Sequence, residues 1–243
     1  MAAGTGDRLV LIDVARTVAL VGMAVFHLAF DLEMFGHLAP GTTVTGGWAI
    51  FARLVAGSFL FLSGVSLVLA HGGAIRWAGV WRRLGRLVAA AALVTGATWL
   101  AFPQAFVFFG ILHSIALCSL IGLALIRLPG LVLLALAVAV VAVDRSVALE
   151  VMNPRWLAWT GLGSVAPLAV DFVPVFPWLG AVLAGMGVAK LAEAAGFRDW
   201  AGRVRAGRGL RRLAWPGRHS LLIYLIHQPV LIALVWVGTR IFG

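Results

Sequence analysis

Apolar residues dominate this chain in long runs broken by short polar clusters. Runs of about 17 to 25 residues predict membrane-spanning helices. They fall at about 9–32, 47–70, 84–101, 105–126, 129–143, 174–191 and 219–241. The stretch 144–171, containing NPRWLAWTGLG, mixes polar and aromatic residues and reads as an interfacial or re-entrant segment. The linker 192–217 reads as a basic amphipathic helix followed by a turn, a headgroup-binding loop or a landing site for a polyanionic cofactor. The fold class that follows is all-α, a polytopic transmembrane helix bundle of about seven spans, with residues 1–243 forming a single domain.

The first run carries Asp13, Arg16, His27 and Asp31 among Leu, Val, Ala, Met and Phe. At about 100° per residue these four fall within roughly 60° of one another. An ionisable group facing lipid costs at least about 2.5 kcal/mol near the helix centre. The stripe must therefore face protein or a wet cavity, and the rest of the bundle is expected to be built around it.

Composition agrees. The chain is 62% hydrophobic and only 12% charged, about half the charged fraction of a soluble domain, and its mean hydropathy is +1.04. Nineteen Lys and Arg against nine Asp and Glu would point to nucleic acid in a soluble protein. Here the excess sits in loops, where basic residues hold the cytoplasmic face, so nucleic acid is not an expected partner and the lipid bilayer is. Arg8 precedes the first span. Arg76, Arg82, Arg83 and Arg86 follow the second, Arg127 the fourth, and Lys190, Arg198, Arg203, Arg205, Arg208, Arg211, Arg212 and Arg218 lie between the last two. The opposite side holds only Arg145, Arg155 and Arg240. This asymmetry predicts a cytoplasmic N-terminus and an outer C-terminus. Trp48, Trp99, Trp156, Trp159 and Trp178 suit the outer interface, and Trp77, Trp81 and Trp215 the inner one. The opening MAAGTGDR is read as leading into a retained span, because a cleaved signal would carry no Asp13 or Arg16 in its apolar core. The single cysteine, Cys118, rules out an intrachain disulfide and a thiolate metal cluster, and no metal is expected. Gly180, Ala181, Ala184 and Gly185 permit close helix packing.

Several polar groups share one depth. His27 lies eleven residues beyond Arg16, about 16 Å along the axis, and Asp31 one turn further. Arg53, His113, Asp171, His227 and Gln228 reach the same stratum from other spans. A carboxylate one turn from an imidazole orients its tautomer and raises its basicity, as a general base needs. The same pair also reads as a helix-stabilising contact, and His113 and His227 as satisfied bundle histidines. Asp13 and Arg16 at i,i+3 read as a structural pair. His37 and His71 are expected in loops, and His219 with Ser220 at a helix start. Three function classes stay open on these residues: an enzyme with a histidine general base, a proton-coupled transporter using His27 and Asp31 as relay, and a haem b-binding redox subunit with histidine ligands.

The ordered segments IDVARTVALVGMAVFHLAFDL, FARLVAGSFLFLSGVSL, FGILHSIAL, VPVFPWLGAVLAGMG and GRHSLLIYLIHQPVL resemble the bacterial branch of the heparan-alpha-glucosaminide N-acetyltransferase catalytic-domain family, within a wider superfamily of transmembrane acyltransferases. The resemblance runs over roughly 8–238. Thr17 stands where the family usually has Gly after the first-span Arg, and the chain lacks the large extra-membrane region of the human lysosomal enzyme. The resemblance implies transfer of an acetyl group from cytoplasmic acetyl-CoA, a co-substrate, to a glycan or amino-sugar acceptor on the periplasmic side of a bacterial inner membrane. It puts His27 at the family's active first-span histidine. The expected site is then His27 as base and Asp31 as its stabiliser, with His113 or Arg53 on the thioester oxyanion and His227 nearby. Arg16, Arg82, Arg83, Arg86 and Arg218 are the candidate phosphate partners of CoA. A homo-oligomer is compatible with the sequence.

Overall fold

The computed structural model describes residues 10–197, 200–201 and 207–242. Arg8, Arg198, Arg203 and Arg205, which enter the charge argument above, lie outside the described residues. The helices are α1 (Val10–Met34), α2 (Gly46–His71), α3 (Trp77–Ala101), α4 (Ile111–Leu125), α5 (Gly130–Ser146), α6 (Arg155–Ala158), α7 (Val175–Ala194), α8 (Arg208–Arg218) and α9 (Ser220–Phe242). The described residues contain no strand, only two isolated bridges, Phe109 with Phe172 and Leu149 with Gly163.

Among the described residues five helices, α1, α2, α3, α7 and α9, are long and apolar enough to cross a membrane. Two other apolar runs form shorter helices. α4 has 15 residues and α5 has 17. At 1.5 Å per residue each falls short of a hydrocarbon core of about 30 Å. α4 starts at Ile111 because the chain before it is held extended: Val173 donates to the Phe109 carbonyl and Val170 to that of Ala105. α3 starts seven residues before its apolar run. Arg82, Arg83 and Arg86 are good helix formers whose stems can lie along apolar surface, so helix continues where hydropathy stops.

The chain packs as two compact units, residues 1–59 with 196–243, and residues 60–195. In the first, α1 packs against α8 and α9. Gly217 of α8 lies against the Asp13 carbonyl, where a Cβ would overlap that oxygen. The Thr17 hydroxyl donates to the Leu213 carbonyl at 2.7 Å and accepts from the Gly217 N–H at 2.9 Å. Thr17 thus fastens α8 to α1. On α1, Val18, Val21, Val25 and Leu28 form an exposed apolar stripe, while Asp13 and Asp31 are buried. The polar stripe faces protein, as hydrocarbon requires. After α1, Glu33 accepts from the Gly41 and Thr43 N–H groups and the Thr43 hydroxyl, which folds the turn leading to α2.

In the second unit, α7 is the central helix. Gly180 approaches the Ala137 carbonyl of α5, and Gly187 approaches Gly130. On another side, Gly185 lies against the backbone of Phe61, and Gly64 against that of Val182. The small residues of this span are therefore packing surface on two faces. Beyond the end of α5 at Ser146, the stretch to 171 is irregular. It holds one 3₁₀ turn (Glu150–Met152) and the single turn α6, with Arg155 over the rings of Phe106 and Phe108 at 5.1 and 5.7 Å.

Candidate active site

One face of α1 meets one face of α9 at four polar side chains. His27 and His227 touch edge to face, with ring centroids 4.8 Å apart at 67°. One turn along α1, Asp31 is fully buried, and its Oδ1 accepts from Gln228 Nε2 at 2.7 Å. His227 and Gln228 are neighbours in sequence, so they diverge by about 100° around α9. One meets His27 and the other Asp31. Pro229 follows them inside the helix and has no N–H to offer the Leu225 carbonyl.

The hydrogen-bond inventory of this cluster is incomplete in a specific way. Five buried side-chain polar atoms among the described residues have no partner. Four of them are here: His27 Nδ1, Asp31 Oδ2, His227 Nε2 and Gln228 Oε1. A buried polar group left unpaired costs about 1–3 kcal/mol, so four in one place mark a site made for a ligand or water rather than for packing. Their chemistry can be read individually. His227 Nδ1 points at the Tyr224 carbonyl, which only accepts, so Nδ1 carries the proton and neutral His227 presents Nε2 as a lone pair. The Gln228 amide nitrogen is committed to Asp31, so its oxygen faces inward as an acceptor. Asp31 Oδ2 is also an acceptor. Three of the four atoms are therefore acceptors, and a molecule rich in N–H and O–H groups would match them.

Asp31 is bonded to Gln228; among the described residues no hydrogen bond joins it to His27. Arg53 is exposed on α2, and no described carboxylate pairs with it. His113 belongs to the second unit and works at the start of its own helix. Its Nδ1 accepts from the Gly110 N–H at 3.3 Å, and its Nε2 lies 3.4 Å from Thr95 Oγ1. Asp171 completes that helix start by accepting from the Ile111 N–H at 3.0 Å. Gly110 is needed there, because a Cβ would overlap the Asp171 carboxylate.

Two of the candidate phosphate partners are engaged with an acid. Asp13, 1% exposed, pairs with Arg16 at 3.0 Å and with Arg218 at 3.3 Å. Arg82 and Arg86 are exposed on α3, with Arg86 Nε donating to the Arg82 carbonyl, and Arg83 is partly buried. His71 is not a loop residue. It ends α2, buried, and accepts from the Arg76 N–H. His219 closes α8 through its ring, which bonds to the Trp215 carbonyl, and stands at the expected start of α9, where its own carbonyl accepts from the Ile223 N–H, while His37 in its turn reaches Thr239 at 2.7 Å.

Sequence reasoning noted Gln228 at membrane depth without giving it a part in the site. Its signal was an amide directly after a histidine inside an apolar run. Thr17 carried a signal too, as the residue that departs from the family pattern.

No curated protein and no solved structure matches this chain. Residues 8–229 match the family heparan-alpha-glucosaminide N-acetyltransferase, catalytic, which covers most of the chain and runs through both units. The chain belongs to that family.

Proposed function

We propose that this protein is a membrane-embedded acetyltransferase of a bacterial inner membrane. It moves an acetyl group from cytoplasmic acetyl-CoA to an amine or hydroxyl of a glycan or amino-sugar acceptor on the periplasmic side, and residues 1–243 act as one transmembrane acyltransferase-like domain. In this reading α4 and α5 are short spans that bring the total to seven, and the basic loops keep the N-terminus in the cytoplasm. Family membership supports the reaction class.

The observation that carries the site is the set of four unpaired polar atoms between α1 and α9. In the proposed reaction the acceptor nitrogen or oxygen attacks the thioester carbonyl, and His27 takes the proton it loses. As the tetrahedral intermediate collapses, the C–S bond breaks and the proton passes to the departing CoA sulfur. The negative charge of Asp31, one turn away and held by Gln228, favours the imidazolium that forms at His27. His227 Nε2 accepts a hydrogen bond from the incoming amine or hydroxyl and orients it. In a variant of the scheme, a His27 nitrogen attacks the thioester carbonyl, the C–S bond breaks and the imidazole proton passes to the departing CoA sulfur; the acceptor then takes the acetyl group from acetyl-histidine and leaves its proton on the imidazole. Arg82 and Arg86, exposed on α3, are the proposed phosphate partners, since Arg16 and Arg218 are paired with Asp13. His113 and Asp171 are assigned to holding the start of α4.

The test is acetyl transfer from acetyl-CoA to glucosamine by protein purified in detergent. His27→Ala should abolish transfer while the helical circular dichroism stays unchanged. Transfer at the wild-type rate by that variant would end the proposal.

A further inference from the structure

α8 has a face that neither the fold nor the proposed chemistry uses. At about 100° per residue, Arg211, Trp215, Arg208 and Arg212 occupy one arc of roughly 100°, and all four are exposed. The opposite side, Ala214 and Gly217, is buried against α1. The helix sequence RGLRRLAWPGR contains no acid, and no described carboxylate pairs with Arg208, Arg211 or Arg212. Its position is also constrained. Only His219 separates α8 from α9, whose apolar length suits a membrane span. The last turn of α8 therefore lies where the chain enters the bilayer. Tryptophan at that level places its ring at the acyl boundary and its N–H toward the headgroups. Guanidinium groups match phosphate with paired hydrogen bonds.

We propose that the Arg208–Arg211–Arg212–Trp215 face of α8 is a binding surface for anionic phospholipid headgroups. The arginines take the phosphates, and Trp215 seats at the edge of the acyl region. Because Thr17 and Gly217 fasten α8 to α1, headgroups gripping this face also hold the Asp13 end of the helix that carries His27 and Asp31. Each basic residue near an anionic surface strengthens attraction by about fivefold at moderate ionic strength, and salt erases that gain.

The experiment uses the full chain reconstituted in phosphatidylcholine vesicles. These contain either phosphatidylglycerol or phosphatidylcholine brominated high in the acyl chain. The signal is the part of the tryptophan emission that Trp215→Phe removes. Brominated phosphatidylglycerol should quench it several-fold more than brominated phosphatidylcholine. The preference should vanish in the triple variant Arg208→Gln, Arg211→Gln, Arg212→Gln and in wild-type protein at high salt. Equal quenching by the two lipids, no quenching by either, or a preference that survives high salt would overturn the proposal. The wild-type salt comparison decides the question even if the triple variant fails to fold.

Discussion

Asp31 and Gln228 form a buried hydrogen bond of 2.7 Å between α1 and α9, and each keeps one oxygen without a partner. The bond fixes the carboxylate in place, and the free oxygens define what it can receive. Gln228→Ala removes the donor and leaves Asp31 buried with none, a loss of about 1–3 kcal/mol. We expect a lower thermal midpoint in detergent together with slower transfer. Asp31→Asn with wild-type Gln228 should retain more stability than activity. Equal losses of both in that variant would count against a chemical part for the charge.

His227 is predicted to act through Nε2. His227→Phe keeps a ring against His27 and removes the lone pair. The variant should stay folded, with kcat/KM for the acceptor reduced by about 10²-fold or more and the KM for acetyl-CoA little changed. Steady-state kinetics with each substrate varied separately reads this. An unchanged acceptor kcat/KM would remove His227 from the scheme.

Asp13 holds two arginines from a nearly fully buried position. The arginine ends are partly exposed, so the pairs lie between surface and buried ion pairs in strength, and Asp13→Ala should cost about 2 kcal/mol. The arginines then separate by role. Arg218→Gln should lower the thermal midpoint without raising the KM for acetyl-CoA. Arg82→Gln should raise that KM and leave the midpoint alone. The reverse pattern would return Arg218 to the phosphate site.

Gly64 and Gly185 allow α2 and α7 to touch through their backbones. A Cβ at Gly64 meets the Val182 carbonyl, which is backbone and cannot turn aside. Gly64→Ala should therefore separate the helices and destabilise by about 1–3 kcal/mol. Gly73→Ala, with nothing near its Cβ, should be neutral. A thermal unfolding series distinguishes them.

Asp171, in the loop before α7, has its carboxyl pushed up to about 6 by burial, with the Ile111 N–H opposing the rise. A carboxyl raised in the folded state stabilises most when protonated. Its contribution is present below pH about 4 and is lost as pH rises through about 6. The midpoint of wild-type protein should therefore fall relative to Asp171→Asn between those values. Asn keeps an acceptor for Ile111 and does not titrate there. Parallel curves for the two proteins would contradict this.

Much of the fold was written in the chain. The apolar runs located the long helices because hydrocarbon and protein interior both demand apolar residues over a length set by the helix rise. The polar stripe of α1 announced that it would face protein, since Asp13 and Asp31 have nowhere else to go. The ordered segments by themselves point to the family that residues 8–229 match.

Partners were a different matter. Spacing placed His27 and Asp31 on one face and proposed that they bond to each other, yet Asp31 is held by a residue 197 positions away. Spacing along α1 was enough to pair Arg16 with Asp13, but Arg218 lies 205 positions away, and only packing brought it to the same acid. His113 finds its partners, the Gly110 N–H and Thr95, at the start of α4. Periodicity along one helix determines which residues share a face. Which side chain crosses to meet them depends on how α8 and α9 lie against α1, and that is fixed by close contacts such as Gly217 on Asp13 and Thr17 on Leu213, between residues far apart in sequence.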